Sequence, residues 1–158
     1  MKRILLFLSL ICLVSISCNP NRIYSKQVEI PQMTWDMNEP ASFEVNIDDE
    51  NVNYDITIDL RAVDFYQFSN LWLYIVTEAP NNAVKADTME CILYDEKGFS
   101  ESTNKLRFGE LEDYEFKFKE NIKFATKGVY KFTIQHGMRI EKLPYINEIG
   151  LTIEKNTN

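Results

Sequence analysis

The residues with the most definite chemistry are the cysteines. Cys12, Cys18 and Cys91 form no CxxC pair and match no zinc spacing. Cys18 sits in "SISCNP" (15–20), behind the small residues Ser15 and Ser17 and just past an apolar run. In that arrangement a leader can be cut before the thiol, and the sulfur can take a diacylglyceryl group through a thioether. Cys12 fits poorly, because bulky Ile11 precedes it. Simple secretion is the other reading of Cys18, with Cys91 then its one available partner in the mature chain.

The element that places this cysteine is the leader itself. Lys2 and Arg3 make a short positive start, and Ile4 to Ile16 follow as a greasy stretch. That stretch is a signal-peptide core, too short for a transmembrane helix, which needs about twenty residues. Bacterial lipoprotein signals have a similar form, although Ser15 stands where leucine is common. Each buried acyl methylene contributes about 0.8 kcal/mol, so two or three chains hold a protein at a bilayer durably. Asn19 follows the cysteine rather than aspartate, and Pro20, Asn21 and Arg22 carry no acid. The expectation is an outer-membrane lipid anchor facing the periplasm. The chain divides into a signal peptide (1–17), a lipid-anchored tether (18–34) and a folded domain (35–158).

Other chemistry is sparse. His136 continues the phase of Tyr130, Phe132 and Ile134, which points it toward a core, so a hydrogen-bonded structural histidine is the simpler reading. A catalytic triad needs serine, histidine and an acid converging, but no G-x-S-x-G elbow is present. The 24 acids include no pair that spacing singles out for glycoside hydrolysis. Cys91 shares its phase with Met89 and Leu93, as a small buried hydrophobe would. No metal ligand set and no cofactor motif is recognisable. The net charge is −7, which repels phosphate backbones and argues against a nucleic-acid partner.

The 158-residue chain is 45% hydrophobic and 13% aromatic, enough for one real core. Beyond the tether the hydrophobic period is two. "FEVNI" (43–47) and "VNYDITIDL" (52–60) alternate around "DDEN", which predicts a hairpin over 43–60. "LWLYIV" (71–76) is apolar throughout and reads as a strand buried on both faces, with Trp72 in the core. "DTMECILYD" (87–95), "YEFKFK" (114–119), "VYKFTIQH" (129–136) and "INEIGLTIEK" (146–155) continue the pattern, while 99–111 is loop-like. The fold class is therefore all-β: an antiparallel β-sandwich, jelly-roll or immunoglobulin-like, of about seven or eight strands.

Two stretches look over-determined, "LRAVDFYQFSNLWLYI" (60–75) and "QHGMRIEKLPYINEIGL" (135–151). Gly137 suggests a bulge or a positive φ there. In one reading these are corner loops locked by arginine–carbonyl bonds. In the other, Arg61, Tyr66, Phe68 and Arg139 share a partner-facing patch, since Tyr and Arg are favoured at interfaces. A sugar platform built from Trp35, Trp72 or Tyr66 is a further reading.

With its leader ending at Cys18, those two stretches and "DTMECILYDEKG", the chain resembles the GldH family of gliding-motility lipoproteins of the Bacteroidetes. The resemblance spans nearly the whole mature chain. It implies a non-catalytic adaptor in gliding motility, linked to the type IX secretion machinery, with other gliding or secretion proteins as partners and the membrane bound through the lipid. The family supplies no catalytic residues to carry over. The rival classes are a carbohydrate- or peptidoglycan-binding module and a hydrolase with converging acids.

The lipid anchor generates the first prediction. Cys18→Ala should release the protein from the membrane fraction or leave the precursor uncut. Equal labelling of variant and wild type by a palmitate analogue would contradict the assignment.

Overall fold

Alternation sets the architecture. In Ala41–Ile47 every second side chain is buried and every other one exposed, so one face of that strand meets a core and the other meets water. The same pattern recurs along the chain in the computed structural model, which describes residues 19–103 and 111–157. The leader (1–17), Cys18 and residues 104–110 lie outside the described residues. Ten strands are described: β1 (Arg22–Glu29), β2 (Thr34–Asp36), β3 (Ala41–Ile47), β4 (Asn53–Val63), β5 (Asn70–Glu78), β6 (Val84–Ile92), β7 (Leu111–Ile122), β8 (Gly128–His136), β9 (Lys142–Pro144) and β10 (Ile146–Asn156). A 3₁₀ turn at Pro31–Met33 joins β1 to β2.

Two four-stranded sheets, β1-β10-β4-β7 and β3-β8-β5-β6, face each other, and β2 and β9 form a short ribbon. All ladders are antiparallel. The pairing is nested: β5 with β6, β4 with β7, β3 with β8, β2 with β9 and β1 with β10. The chain is thus one long hairpin rolled up, and two further ladders, β4·β10 and β5·β8, close the roll. This is the jelly-roll order rather than the immunoglobulin one. Eight strands carry the sandwich, and the three-residue β2 and β9 are the additions to the expected number.

The core lies between the sheets and draws on both. Ile56, Ile58 and Leu60 of β4 and Ile149, Leu151 and Ile153 of β10 are at most 3% exposed. Opposite them, Phe43 and Val45 of β3, Leu71, Leu73 and Ile75 of β5, and Phe132 and Ile134 of β8 belong to the same cluster. Cys91 is fully buried, and burial pushes its thiol up to about 12, so it remains a reduced, unreactive thiol.

Four sequence-based expectations are corrected. Segment 43–60 is not a hairpin, because β3 and β4 belong to opposite sheets and pair elsewhere. The "DDEN" turn arches across the core, held by Asn51 N–H on Asp49 Oδ1 (2.9 Å) and Tyr54 O–H on the Asp49 carbonyl (2.6 Å). Both strands alternate cleanly, and alternation alone does not say which strand is the neighbour. Residues 22–34 are not a tether: β1 pairs along β10 from Arg22 to Glu29. It is an edge strand with mostly exposed side chains; backbone bonds to β10 hold it, with Ile23, Tyr24 and Val28 packed partly against the core, at a spacing that breaks the two-residue alternation. "LWLYIV" is buried on one face, with Trp72 39% and Tyr74 49% exposed on the other. Gly137 does not have a positive φ. Its role is close approach, since a Cβ there would lie 2.7 Å from the Tyr74 ring.

His136 ends β8 fully buried, edge-on to Trp35 at 5.5 Å between centroids, with Nε2 donating to the Trp35 carbonyl at 3.0 Å. Burial pushes its pKa below 6.5, against the opposing pull of that carbonyl. The unfolded chain therefore takes up the proton first as pH falls. The stability is complete above about pH 6.5 and is lost as pH falls from there toward the depressed folded value. His136→Gln keeps a donor but does not titrate. Melting temperatures at about pH 7.5 and about pH 5.5 should fall less for the variant than for the wild type, and equal falls would contradict a buried neutral imidazole.

Candidate functional site

On the outer face of β5, Trp72 and Tyr74 stand in the phase opposite to Leu71, Leu73 and Ile75. The chain leaving β8 runs beside them. Gly137 N–H donates to the Trp72 carbonyl at 2.7 Å, and Trp72 N–H donates to Met138 Sδ at 3.5 Å. These bonds fix Gly137 and Met138 beside the strand, and the bare Cα of Gly137 lets the Tyr74 ring lie against it. Phe68 arrives from the β4–β5 loop, packed on Tyr66 at 5.6 Å between centroids. The result is a shallow groove of about 280 Å³ lined by Phe68, Trp72, Gly137, Met138, Arg139 and Ile140. The Arg139 guanidinium is exposed at its edge and makes no ion pair or hydrogen bond among the described residues.

The four residues named from the sequence separate into three environments. Phe68 and Arg139 come together in the groove. Tyr66 lies beneath it, 6% exposed, with its O–H donating to the Asn70 carbonyl at 3.0 Å, and burial raises its pKa strongly. It locks the loop and does not face a partner. Arg61 lies within β4, on the outer face of the other sheet. Its Nε is 2.6 Å from Asp113 Oδ1 and its Nη1 3.1 Å from Glu148 Oε1. These carboxylates stand directly opposite it on β7 and β10. Arg61 therefore bridges three strands through side-chain acids, not loop carbonyls, and does not share a patch with Arg139.

Around Arg61 is a polar groove with Asp59, Asp113, Glu115 and Glu148. Burial raises the Asp59 pKa, while Thr152 O–H donates to Asp59 Oδ2 at 2.6 Å. Arg61 neutralises the two flanking acids, so this is a cross-strand ionic clamp. No cluster of three or more histidines, cysteines or acids suited to a metal occurs among the described residues. Trp35 is 1% exposed, its indole N–H donating to the Glu39 carbonyl at 3.2 Å, so it offers no sugar platform. Cys18, the expected lipidation site, lies outside the described residues, which begin one residue later.

Sequence reasoning offered Trp72 only as core or as part of a sugar platform, and did not place Tyr74 and Ile140 as exposed and Met138 as half-buried beside it. The signal was present in "LWLYIV", where Leu71, Leu73 and Ile75 occupy one phase and both aromatics, Trp72 and Tyr74, fall in the other with Val76. A wholly apolar run hides that division when read only for hydrophobicity.

Comparison with known proteins adds a family. A family model described as GldH lipoprotein matches residues 22–153. The chain is 32% identical over 162 residues to a gliding motility lipoprotein GldH homolog of Christiangramia forsetii, covering 98% of this chain and 96% of that one. It is 26% identical over 155 residues to gliding motility lipoprotein GldH of Flavobacterium johnsoniae, covering 94% of each.

The two arginines should behave differently. Arg61→Ala removes the ion pairs to Asp113 and Glu148 and should lower stability by about 1 kcal/mol, less at high salt, because the cluster is partly solvated. Arg139→Ala should change stability by less than about 0.5 kcal/mol. Thermal unfolding of both variants checks this, and a larger loss for Arg139→Ala would contradict its placement as a free surface cation.

Proposed function

The chain belongs to the GldH lipoprotein family, and from that premise we propose that it is a non-catalytic adaptor in gliding motility. It is held in the outer membrane by lipid on Cys18 and faces the periplasm. The Trp72 groove is the surface that docks a protein of the motility and type IX secretion machinery.

The composition of that groove supports this reading most. Interface cores are enriched in Trp, Tyr, Phe, Met and Arg and depleted in Lys, Glu and Asp. Phe68, Trp72, Tyr74, Met138 and Arg139 supply each of the enriched types in one place. Aromatic side chains bring large contact area with few rotors to freeze. Hydrogen bonds to Trp72 and close packing at Gly137 hold the groove in shape, which lowers the ordering cost of binding. The ionic clamp at Arg61 is already satisfied internally and offers a partner less.

A second reading has one specific observation behind it. Trp72 and Tyr74 project from the same face of one strand two residues apart and are both solvent-exposed, as aromatic sugar platforms are. Peptidoglycan or another glycan is then the ligand.

Charge reversal with truncation separates these readings from a passive surface. A Trp72→Ala/Arg139→Glu variant should remain membrane-bound and keep its melting temperature within about 2 °C, as exposed substitutions do. Recovery of cross-linked partner proteins from intact cells should fall at least about tenfold, a loss typical of one or two hot-spot residues. Unchanged recovery would overturn the adaptor surface. Loss of sedimentation with isolated sacculi, with protein partners retained, would favour the glycan reading.

A further inference from the structure

The sandwich has an open side. β6 and β7 are the outermost strands of the two sheets on that side, with no backbone ladder between them among the described residues; Thr103 N–H bonds to β7 only at the Asp113 carbonyl, away from the cleft. The alternation in "YEFKFK" would send Lys119 outward. Instead the register slips around Ile56, so that Ile56 opposes Lys119 while Thr57 opposes Lys117. The irregularity leaves Phe118 and Lys119 both directed toward the gap. On the other edge Asp87 opposes the buried Ile75, so it too points inward. Lys119 Nζ and Asp87 Oδ1 meet at 3.0 Å across the gap, with Lys85 3.7 Å from Asp87 Oδ2.

Behind this ion pair is a cleft of about 340 Å³. Its walls are Ile56, Phe118, Ile122, Phe124 and Phe132, with the small residues Ala79, Ala83 and Ala125 making room. Among the described residues its rim carries Lys85, Lys119 and Lys123 against the single acid Asp87, a local positive excess on a chain of net charge −7. Inward-pointing charges on edge strands can serve merely to block sheet-to-sheet aggregation. That role does not call for an apolar cleft behind the charges, nor for three cations to one anion.

We propose that this cleft binds a single-chain anionic amphiphile, a long-chain carboxylate, with the chain between the sheets and the head group on Lys119 and Lys123. The volume lies at the small end of ligand cavities, about 300–1,000 Å³, which suits one chain rather than two. Lys119 can turn from Asp87 to the head group while Lys85 retains Asp87. Along β6 and β7 only side chains join the two edges, while the β7–β8 crossing at 123–127 closes one end of the cleft. The position fits a bilayer source. Asn21 accepts a hydrogen bond from Lys155 N–H at 2.8 Å, and Asn53 and Tyr54 pair with Asn156 and Ile122. The start of the described chain and the cleft loop at 122–126 therefore share one end of the domain. With lipid expected on Cys18, that end faces the membrane. The Trp72 groove lies at the other end of β5, so the two sites are separate.

The test uses the full-length protein in phosphatidylcholine vesicles with a diazirine-bearing dodecanoate, photolysed and mapped by peptide mass spectrometry. Adducts should fall on residues 118–126. Unlabelled dodecanoate should suppress them and dodecyltrimethylammonium should not. A Lys119→Glu/Lys123→Glu variant should lose about tenfold in yield, as expected for two lost charge-assisted contacts. Ala125→Trp, at an exposed loop position, should block the cleft while leaving the core intact, and Lys127→Glu should have no effect. Adducts elsewhere, equal suppression by the cationic amphiphile, or unaltered yield in folded Ala125→Trp would overturn the proposal. So would equal suppression by phosphatidylglycerol vesicles, which would mark a two-chain lipid site.

Discussion

The ladder between β4 and β10 is the seam on which the domain depends. Ile56, Ile58 and Leu60 stand opposite Ile153, Leu151 and Ile149, and these side chains form one wall of the core, facing the other sheet. The strands are far apart in sequence; Thr152 and Asp59, hydrogen-bonded across the seam, are 93 residues apart. Cys91 is a free thiol, so nothing covalent replaces this closure in the described residues. An isoleucine or leucine truncated to alanine in such a place removes about 2–5 kcal/mol, against a total stability of about 5–15 kcal/mol for a domain. Nested pairing also means that most contacts are non-local, a topology that folds slowly.

That seam frees the outer surfaces for other work. On the β4 side, Arg61, Asp113 and Glu148 close into an ionic clamp over three strands. On the β5 side, the outer face carries the exposed Trp72 and Tyr74 beside Arg139, whose charge is unpaired among the described residues. One face is internally satisfied and the other is not, which is the physical basis for assigning partner contact to the second. The family is described as a lipoprotein, and on the proposed reading the lipid on Cys18 holds one end of the domain while the Trp72 groove lies toward the other.

Much of this was legible in the sequence. The phase of Tyr54, Ile56, Ile58 and Leu60, of Tyr130 to His136, and of Ile149, Leu151 and Ile153 gave each strand its buried face. Cys91 and His136 followed from the same phase. Strand neighbours were not legible, because an arch and a hairpin have the same alternation; hence the misplaced 43–60 hairpin. β1 was invisible for another reason: it is a largely exposed edge strand, and its core-contacting residues Ile23, Tyr24 and Val28 do not alternate. At the site, Phe68 and Arg139 were found through residue type, whereas Trp72 was taken for core because both phases of its strand are apolar. Arg61, at the end of an alternating strand, reads as structural from the sequence while Arg139 stays open, but the partners Asp113 and Glu148 are set by register and were not legible.

The central claim is that the outer face around Tyr74 meets a protein partner while the outer face of the other sheet does not. Site-specific photo-cross-linking in intact cells tests it most directly, with benzoylphenylalanine placed at Tyr74 or at Lys117, which pairs with Thr57 on the opposite sheet. The account predicts a discrete protein adduct from position 74 and none from position 117. No adduct from position 74, or the same adduct from both positions, would contradict it.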